Sequence, residues 1–325
     1  MPTIAEVIQQ YLDTIQLARA PHTFRTYQNA LNTLTRALEL EGIDADKAPI
    51  TALVPKVAVS AIVEYTSHYA DATQRLYLTA LSGVYDFIAA EDIMPVNLPK
   101  VRSLIKRRSK RPGVRLPQFP IADIERLLEH HEQRPQMYPE EAERDYLRDL
   151  RDRAFLLTLA DTGLRVHEAC GLKRGDIDWQ EYRAIVIGKG NREDVVRFSE
   201  RSVKALQDYL SARQSYDGMT GRPLTSMPLF ARHDKGAGKK VLPIQTNTGR
   251  NIVTERVREF LGAEAVGTIT PHSFRHYFVT RVLQATGNLK MAQMLARHQN
   301  IAITQRYSHL SDSELDKGYW EAIEK

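Results

Sequence analysis

The chain has 325 residues, 42% of them hydrophobic and 26% charged, which is enough apolar material for two ordinary globular domains. A single cysteine excludes a disulfide framework and a Cys-rich zinc module, and Cys170, beside Ala169, reads as a buried thiol in a reducing, intracellular protein. The formal net charge of +5 is modest, so its distribution along the chain is more informative than its size.

Residues 1–99 hold six basic and eleven acidic residues. The opening segment lacks the basic start and apolar core of a signal peptide, and no apolar run in the chain approaches the roughly 20 residues of a membrane span. Thr3 followed by Glu6 forms a capping box, after which Ile4, Val7, Ile8, Tyr11, Leu12 and Ile15 recur at helical spacing. A second helix is predicted from about Pro21, with Tyr27, Leu31, Leu34 and Leu38 on one face, and two more over Val57–Tyr69 and Asp71–Ala90. Four helices make a small all-α domain. Its acidity is awkward for a DNA-binding role and would have to hide a locally basic face.

Residues 100–118, KVRSLIKRRSKRPGVRLPQ, hold eight basic and no acidic residues. The composition reads as an interdomain linker, either a charged spacer or a contact for a polyanion. From residue 119 onward helical patterns occupy about 121–131, 141–161, 200–213, 247–262, 273–285, 289–297 and 312–324. Between them one hairpin is predicted, Ala184–Ile187 and Val195–Phe198 joined by GKGNRED. The segment 214–246, rich in glycine, reads as a long loop. The expected fold is mainly α with a small antiparallel β-sheet: a helical domain at 1–99, the basic linker, and a mixed α/β domain at 119–325.

Several motifs fail on inspection. Gly188-Lys-Gly190 lacks the third glycine of a dinucleotide fingerprint, and the run ending Gly238-Lys239-Lys240 lacks the Ser or Thr of a P-loop. His167-Glu168 begins like a zinc protease helix but reaches Gly171 where the second histidine should stand. What remains is a series of basic groups: Arg165 and Glu168 in TGLRVHE, Lys189 at the hairpin tip, His272 and Arg275 in PHSFRHY, His298 in LARHQN, and Tyr307 in TQRYSHL. Each alone has a plain explanation, such as a surface ion pair for Arg165 and Glu168 or a helix cap for His298.

In this order and spacing the series resembles the tyrosine recombinases, the phage integrase family that includes the Xer-type enzymes. The resemblance is strong over 150–310, and the helical block and linker match the family's core-binding domain and tether more loosely. It implies that Tyr307 attacks a DNA phosphodiester to give a 3'-phosphotyrosyl enzyme and a free 5'-hydroxyl. Arg165 and Arg275 would clamp the phosphate, and Lys189 would protonate the leaving oxygen. His272 would exchange a proton with Tyr307, His298 would bond the phosphate, and Glu168 would orient Arg165 or His272. The residue types suit these tasks, because a guanidinium fork donates bidentate bonds to phosphate and stays charged at any working pH. No cofactor and no metal is implied.

The implied partners are duplex DNA, three further copies of the chain in a tetramer on DNA, and accessory DNA-bending proteins, with a cytoplasmic, nucleoid-associated location and no membrane. Lys106, Arg107, Arg108, Lys110 and Arg111 are the DNA-contacting candidates of the linker. A type IB topoisomerase and a non-enzymatic DNA-binding relative are the rival readings. Two departures from the family pattern stand out: Arg297 replaces the usual glycine before His298, adding a charge that could tune DNA contacts, and Phe274 replaces leucine before Arg275.

Spacing adds one constraint. Tyr307 lies nine residues after His298, which on a continuous helix would put the two on opposite faces, so the chain must break between them. A short helix over Ile301–Arg306 is expected to carry the tyrosine. Tyr277, two residues from Arg275, is a weaker nucleophile candidate. Towards the C-terminus, Ser311 to Glu314 resembles a helix start, and Leu315, Tyr319, Trp320 and Ile323 form an apolar stripe. This stripe would dock either on its own domain or on a neighbouring protomer.

Overall fold

A computed structural model describes residues 1–109, 120–133, 138, 142–188, 193–238 and 240–305. The chain forms two compact units, Met1–Val114 and Arg115–Lys325.

The first unit is a helical bundle: α1 (Ile4–Ala18), α2 (Pro21–Leu40), α3 (Pro55–Tyr65), α4 (Asp71–Ala90) and α5 (Leu98–Arg108). The capping box is present, with the Thr3 hydroxyl accepting from the Glu6 N–H and the Glu6 carboxylate from the Thr3 N–H. The predicted faces of α1 and α2 are buried, from Ile4 through Leu12 and at Leu31, Leu34 and Leu38. Gly83 lets α4 approach α1, since a β-carbon there would meet the Tyr11 hydroxyl at 2.0 Å. The structure differs from the sequence expectation at residue 100, where no linker begins. Leu98–Arg108 is a helix capped by Asn97, which accepts from the Lys100 N–H, and its Val101, Leu104 and Ile105 pack on the first unit's core. These three apolar positions at i, i+3 and i+4 form a seam in an otherwise cationic helix. Residues 110–119, the rest of the expected linker, lie outside the described residues.

In the second unit α6 (Ile121–Gln133), α9 (Glu200–Ala212), α11 (Thr246–Leu261) and α12 (Pro271–Thr286) are built around α7 (Glu143–Thr162). α7 is buried on nearly every side from Asp149 to Ala160, only Arg153 among these being partly exposed, as expected of the central helix of a core. Shorter helices follow at α8 (Val166–Gly171), α10 (Gln214–Gly218), α13 (Leu289–Ala296) and α14 (Ile301–Gln305). The sheet is antiparallel, with β1 (Ile177–Asp178), β2 (Arg183–Ile187) and β3 (Glu193–Arg197) in sequence order. β2 and β3 form the predicted hairpin, with Ile185 opposite Val195. Ala184, Val186 and Val196 face the core. Residues 214–246 are more than a loop, since Met227, Leu229, Phe230 and Ala231 are all buried. Cys170 is buried as expected, which pushes its thiol up to about 12. It lies where α8 meets α11, and a β-carbon on Gly249 would come within 2.8 Å of its sulfur.

Candidate active site

Three chain breaks build the site. α7 ends at Gly163, whose φ of +61° lies in the left-handed region and whose missing side chain leaves room for Phe278, 2.5 Å from where a β-carbon would stand. The chain then turns through Leu164, fully buried, into α8, whose N-cap is Arg165. Glu168, three residues on, accepts from the Arg165 N–H through Oε2 at 2.8 Å and from the Arg165 guanidinium through Oε1 at 2.8 Å. The pair is not the plain surface bridge that the spacing alone allowed, because the Glu168 side chain is 3% exposed.

α12 begins at Pro271, which suits a first helical position. This start places His272 in the first turn and Arg275 one turn later, where its side chain is buried. The Arg275 guanidinium donates to two main-chain carbonyls, those of Gly163 and Ala296. It therefore ties the end of α7 to the end of α13. His272 and His276 meet edge to face with ring centroids 4.1 Å apart.

α13 is capped by Asn288, which accepts from the Met291 N–H, and ends at Arg297 with φ +58°. The chain leaves the helix at Arg297, one residue before the expected stretch between His298 and Tyr307, and α14 is the expected short helix over its described residues, Ile301–Gln305. His298 sits in the connection, with Nδ1 2.8 Å from the hydroxyl of the fully buried Thr304 on α14. Arg297 is a correction to the sequence reading. Its side chain is buried and donates to Glu168 Oε2 at 2.9 Å, so it braces the site from behind.

Among the described residues, the guanidiniums of Arg165, Arg275 and Arg297 and the imidazoles of His272 and His298 gather around the Glu168 carboxylate, and their ionisations register the imbalance. Burial, then the charges of Arg165 and Arg297, pull the Arg275 guanidinium down to about 9, against the opposing effect of Glu168. Burial and the charges of Arg275, Arg165, His272 and Arg297 push His298 down to about 4. His272 shifts the same way through partial burial, Arg275 and Arg165. Burial would raise the Glu168 carboxyl, but Arg297, the Arg165 N–H and the Arg165 guanidinium outweigh it and hold the group below the usual carboxylate range. An unbalanced positive cluster of this kind favours an anion, and planar guanidiniums beside neutral imidazoles suit the oxygens of a phosphate.

Of the residues expected at the site, Arg165, Glu168, His272, Arg275 and His298 are gathered here, whereas Lys189 and Tyr307 lie outside the described residues. Tyr277 belongs elsewhere. It is buried in the main core, its phenol raised by burial and surrounded by Arg281, Glu125, Arg201 and Asp161. Of the DNA-contacting candidates, Lys106 and Arg107 are exposed on α5. Arg108 is committed to α3, donating to the Lys56 carbonyl at 3.0 Å and to the Ser60 hydroxyl. Lys110, Arg111 and the C-terminal stripe from Leu315 lie outside the described residues.

Residues 120–314 match the model of the phage integrase family. The chain belongs to that family, the tyrosine recombinases. Over 303 residues it is 29% identical to a tyrosine recombinase XerC of Vibrio vulnificus, spanning 93% of this chain and 85% of the relative. A XerC of Thermodesulfovibrio yellowstonii is 27% identical over 96% of this chain and 94% of its own length. Among solved structures, the Tn1549 transposon integrase in complex with transposon right end DNA aligns with a TM-score of 0.67 at 19% identity, covering 98% of this chain and 99% of that one. The site-specific recombinase XerH bound to its difH substrate aligns at 0.64 with 18% identity, over 93% and 79% of the two chains. These structural likenesses concern the fold.

Proposed function

We propose that this protein cuts and rejoins duplex DNA at specific sites, using Tyr307 as nucleophile and the cluster of Arg165, Arg275 and His298 as the cradle of the scissile phosphate. The observation that supports this most is the unbalanced positive charge around Arg275. A phosphodiester placed there supplies the missing negative charge, and the charge that develops on its oxygens during attack strengthens the same contacts.

The Tyr307 oxygen bonds to phosphorus, the bond from phosphorus to the 5'-oxygen breaks, and the DNA is left joined to the enzyme through its 3'-phosphate. His272, whose partial burial and neighbours Arg275 and Arg165 favour the neutral imidazole, accepts the phenol proton. Lys189, which lies between β2 and β3 in the sequence, gives a proton to the departing 5'-oxygen. The phosphotyrosyl bond conserves the energy of the phosphodiester, so attack by a 5'-hydroxyl reverses the step without nucleotide or metal. The first unit, with Lys106, Arg107, Lys110 and Arg111, contributes phosphate contacts along the duplex. Four copies assemble on two sites, with accessory proteins bending the DNA, in the cytoplasm on the nucleoid. Relatives solved with DNA, including a lambda integrase dimer bound to a core site, support duplex DNA as the partner.

The test uses a pool of randomised duplexes carrying a sulfur in place of the bridging 5'-oxygen, which leaves without protonation and traps the cut state. The full-length protein should form complexes that survive denaturation, in EDTA and without nucleotide, and Tyr307→Phe should form none. Lys189→Ala should cut the sulfur-bridged DNA near the wild-type rate but ordinary DNA far more slowly. Covalent capture by Tyr307→Phe, or a strict need for metal, would overturn the proposal.

A further inference from the structure

Arg297 is placed where an arginine is expensive. Its backbone is left-handed at the end of α13, a conformation glycine adopts without strain and a side chain resists. Its side chain is only 4% exposed. Its Nε and Nη1 are buried with no hydrogen-bond partner, and it adds positive charge beside Arg275 and His298. Among the described residues, Glu168 is the only acceptor its side chain has.

That acceptor is already shared. Glu168 Oε1 takes the Arg165 guanidinium, while Oε2 takes both the Arg165 N–H and Arg297 Nη2. With three donors on two oxygens, the carboxylate is held in one orientation, and the exposed Arg165 side chain is held by it in turn. The link also spans the site, joining the start of α8 to the end of α13. Residue 297 thereby fixes α8 relative to His298.

We propose that Arg297 is a positioning residue for strand cleavage: it locks Glu168, and through Glu168 sets the guanidinium of Arg165 against the scissile phosphate. This rests on the recombinase reading above. In a glycine variant Glu168 keeps Arg165 as a partner but loses its brace, so Arg165 samples more orientations while the fold is relieved of a strained, buried charge.

The experiment takes a sulfur-bridged duplex recovered from the randomised pool and compares wild-type protein with Arg297→Gly and Arg297→Lys. Three quantities are measured: melting temperature, equilibrium binding, and the single-turnover rate of covalent complex formation from pH 5 to 9. Arg297→Gly should melt at or above the wild-type temperature, bind the duplex within about threefold, and cleave at least tenfold more slowly. Its acid limb should lie at higher pH, since removing the cation raises both Glu168, which faces Arg165 and Arg297, and His298, which faces Arg275, Arg165, His272 and Arg297. Arg297→Lys keeps the charge and one donor and should recover most of the rate. A purely structural role would lower the melting temperature without moving the acid limb. Cleavage by Arg297→Gly within about threefold of wild type, with an unmoved limb, would overturn the proposal. Should Arg297→Gly fail to fold, a lysine variant no faster than Arg297→Gln would overturn it instead. Absence of any covalent complex with wild-type protein would strike the recombinase reading itself.

Discussion

Two buried arginine clusters of the second unit use the same residue type in opposite ways. Between α7 and α11, Arg256 bridges Asp149, Asp152 and Glu259, and Arg151 shares Asp152. Carboxylates outnumber guanidiniums there, and although burial works against its charge, they raise the Arg256 pKa further. At the ends of α7, α12 and α13 the ratio inverts, and Arg275 falls to about 9. The first cluster is complete and fastens two helices. The second is left with an excess of positive charge, which under the proposed function the scissile phosphate would balance.

The strongest test of this contrast replaces the two arginines one at a time. Arg275→Met removes a proposed phosphate donor and should slow cleavage by a factor of hundreds, since one such donor is worth about 2.7 to 4 kcal/mol in the transition state. Its melting temperature should change little, because the loss of hydrogen bonds to two carbonyls is offset by relief from Arg165 and Arg297. Arg256→Met should do the reverse. It takes one cationic partner from the buried Asp149 and Asp152, at a cost of up to about 3 to 5 kcal/mol in stability, while the protein that remains folded cleaves at the normal rate. Paired melts and single-turnover assays decide it. Equal loss of activity in both variants would erase the distinction.

A smaller effect is expected from pH. His298 titrates at about 4 in the fold, against roughly 6.5 in an unfolded chain. Its depressed value means that the stability it contributes is present above pH 6.5 and is lost as the pH falls toward 4. His298→Asn should flatten that decline by on the order of 1 kcal/mol after solvent screening, as followed by denaturant melts across the range. His233, bonded to the Tyr209 hydroxyl at 2.8 Å and pushed to about 3 by burial, Arg151 and Arg213, lies apart from the proposed phosphate site. Bound DNA should therefore raise His298, along with His272 beside it, and leave His233 where it is, detectable as proton uptake below pH 6.5 that is reduced in His298→Asn.

The smallest effect concerns the first unit. Neutralising Lys106 and Arg107 should weaken binding to all duplexes alike and lower the salt dependence by about 0.9 for each phosphate left without its cation. Binding titrations at several salt concentrations measure the slope. An unchanged slope would leave α5 as a bundle helix without a role on DNA.

Much of the molecule is legible in its sequence. The capping box at Thr3, the faces of α1 and α2, the hairpin and the break after α13 follow from spacing and local chemistry that short segments contain. Five residues of the candidate site, from Arg165 to His298, are picked out by the family resemblance that their order along the chain carries. The features that escape a sequence reading share a cause, which is that burial is set by partners distant in sequence. α5 is hidden because five basic residues mask the seam of Val101, Leu104 and Ile105. Arg297 resembles a DNA contact because its pairing with Glu168 spans 129 residues. Arg256 gives no local sign that Asp152, 104 residues away, will cover it. The short β1 strand escapes because two residues leave no pattern.

The most direct test of the central claim is to digest the trapped DNA complex with nuclease and protease and locate the adduct by mass spectrometry. The account predicts a nucleotide attached through its 3'-phosphate to the peptide containing Tyr307, and none on Tyr277. A 5'-phosphoryl linkage, or an adduct on any other residue, would contradict it.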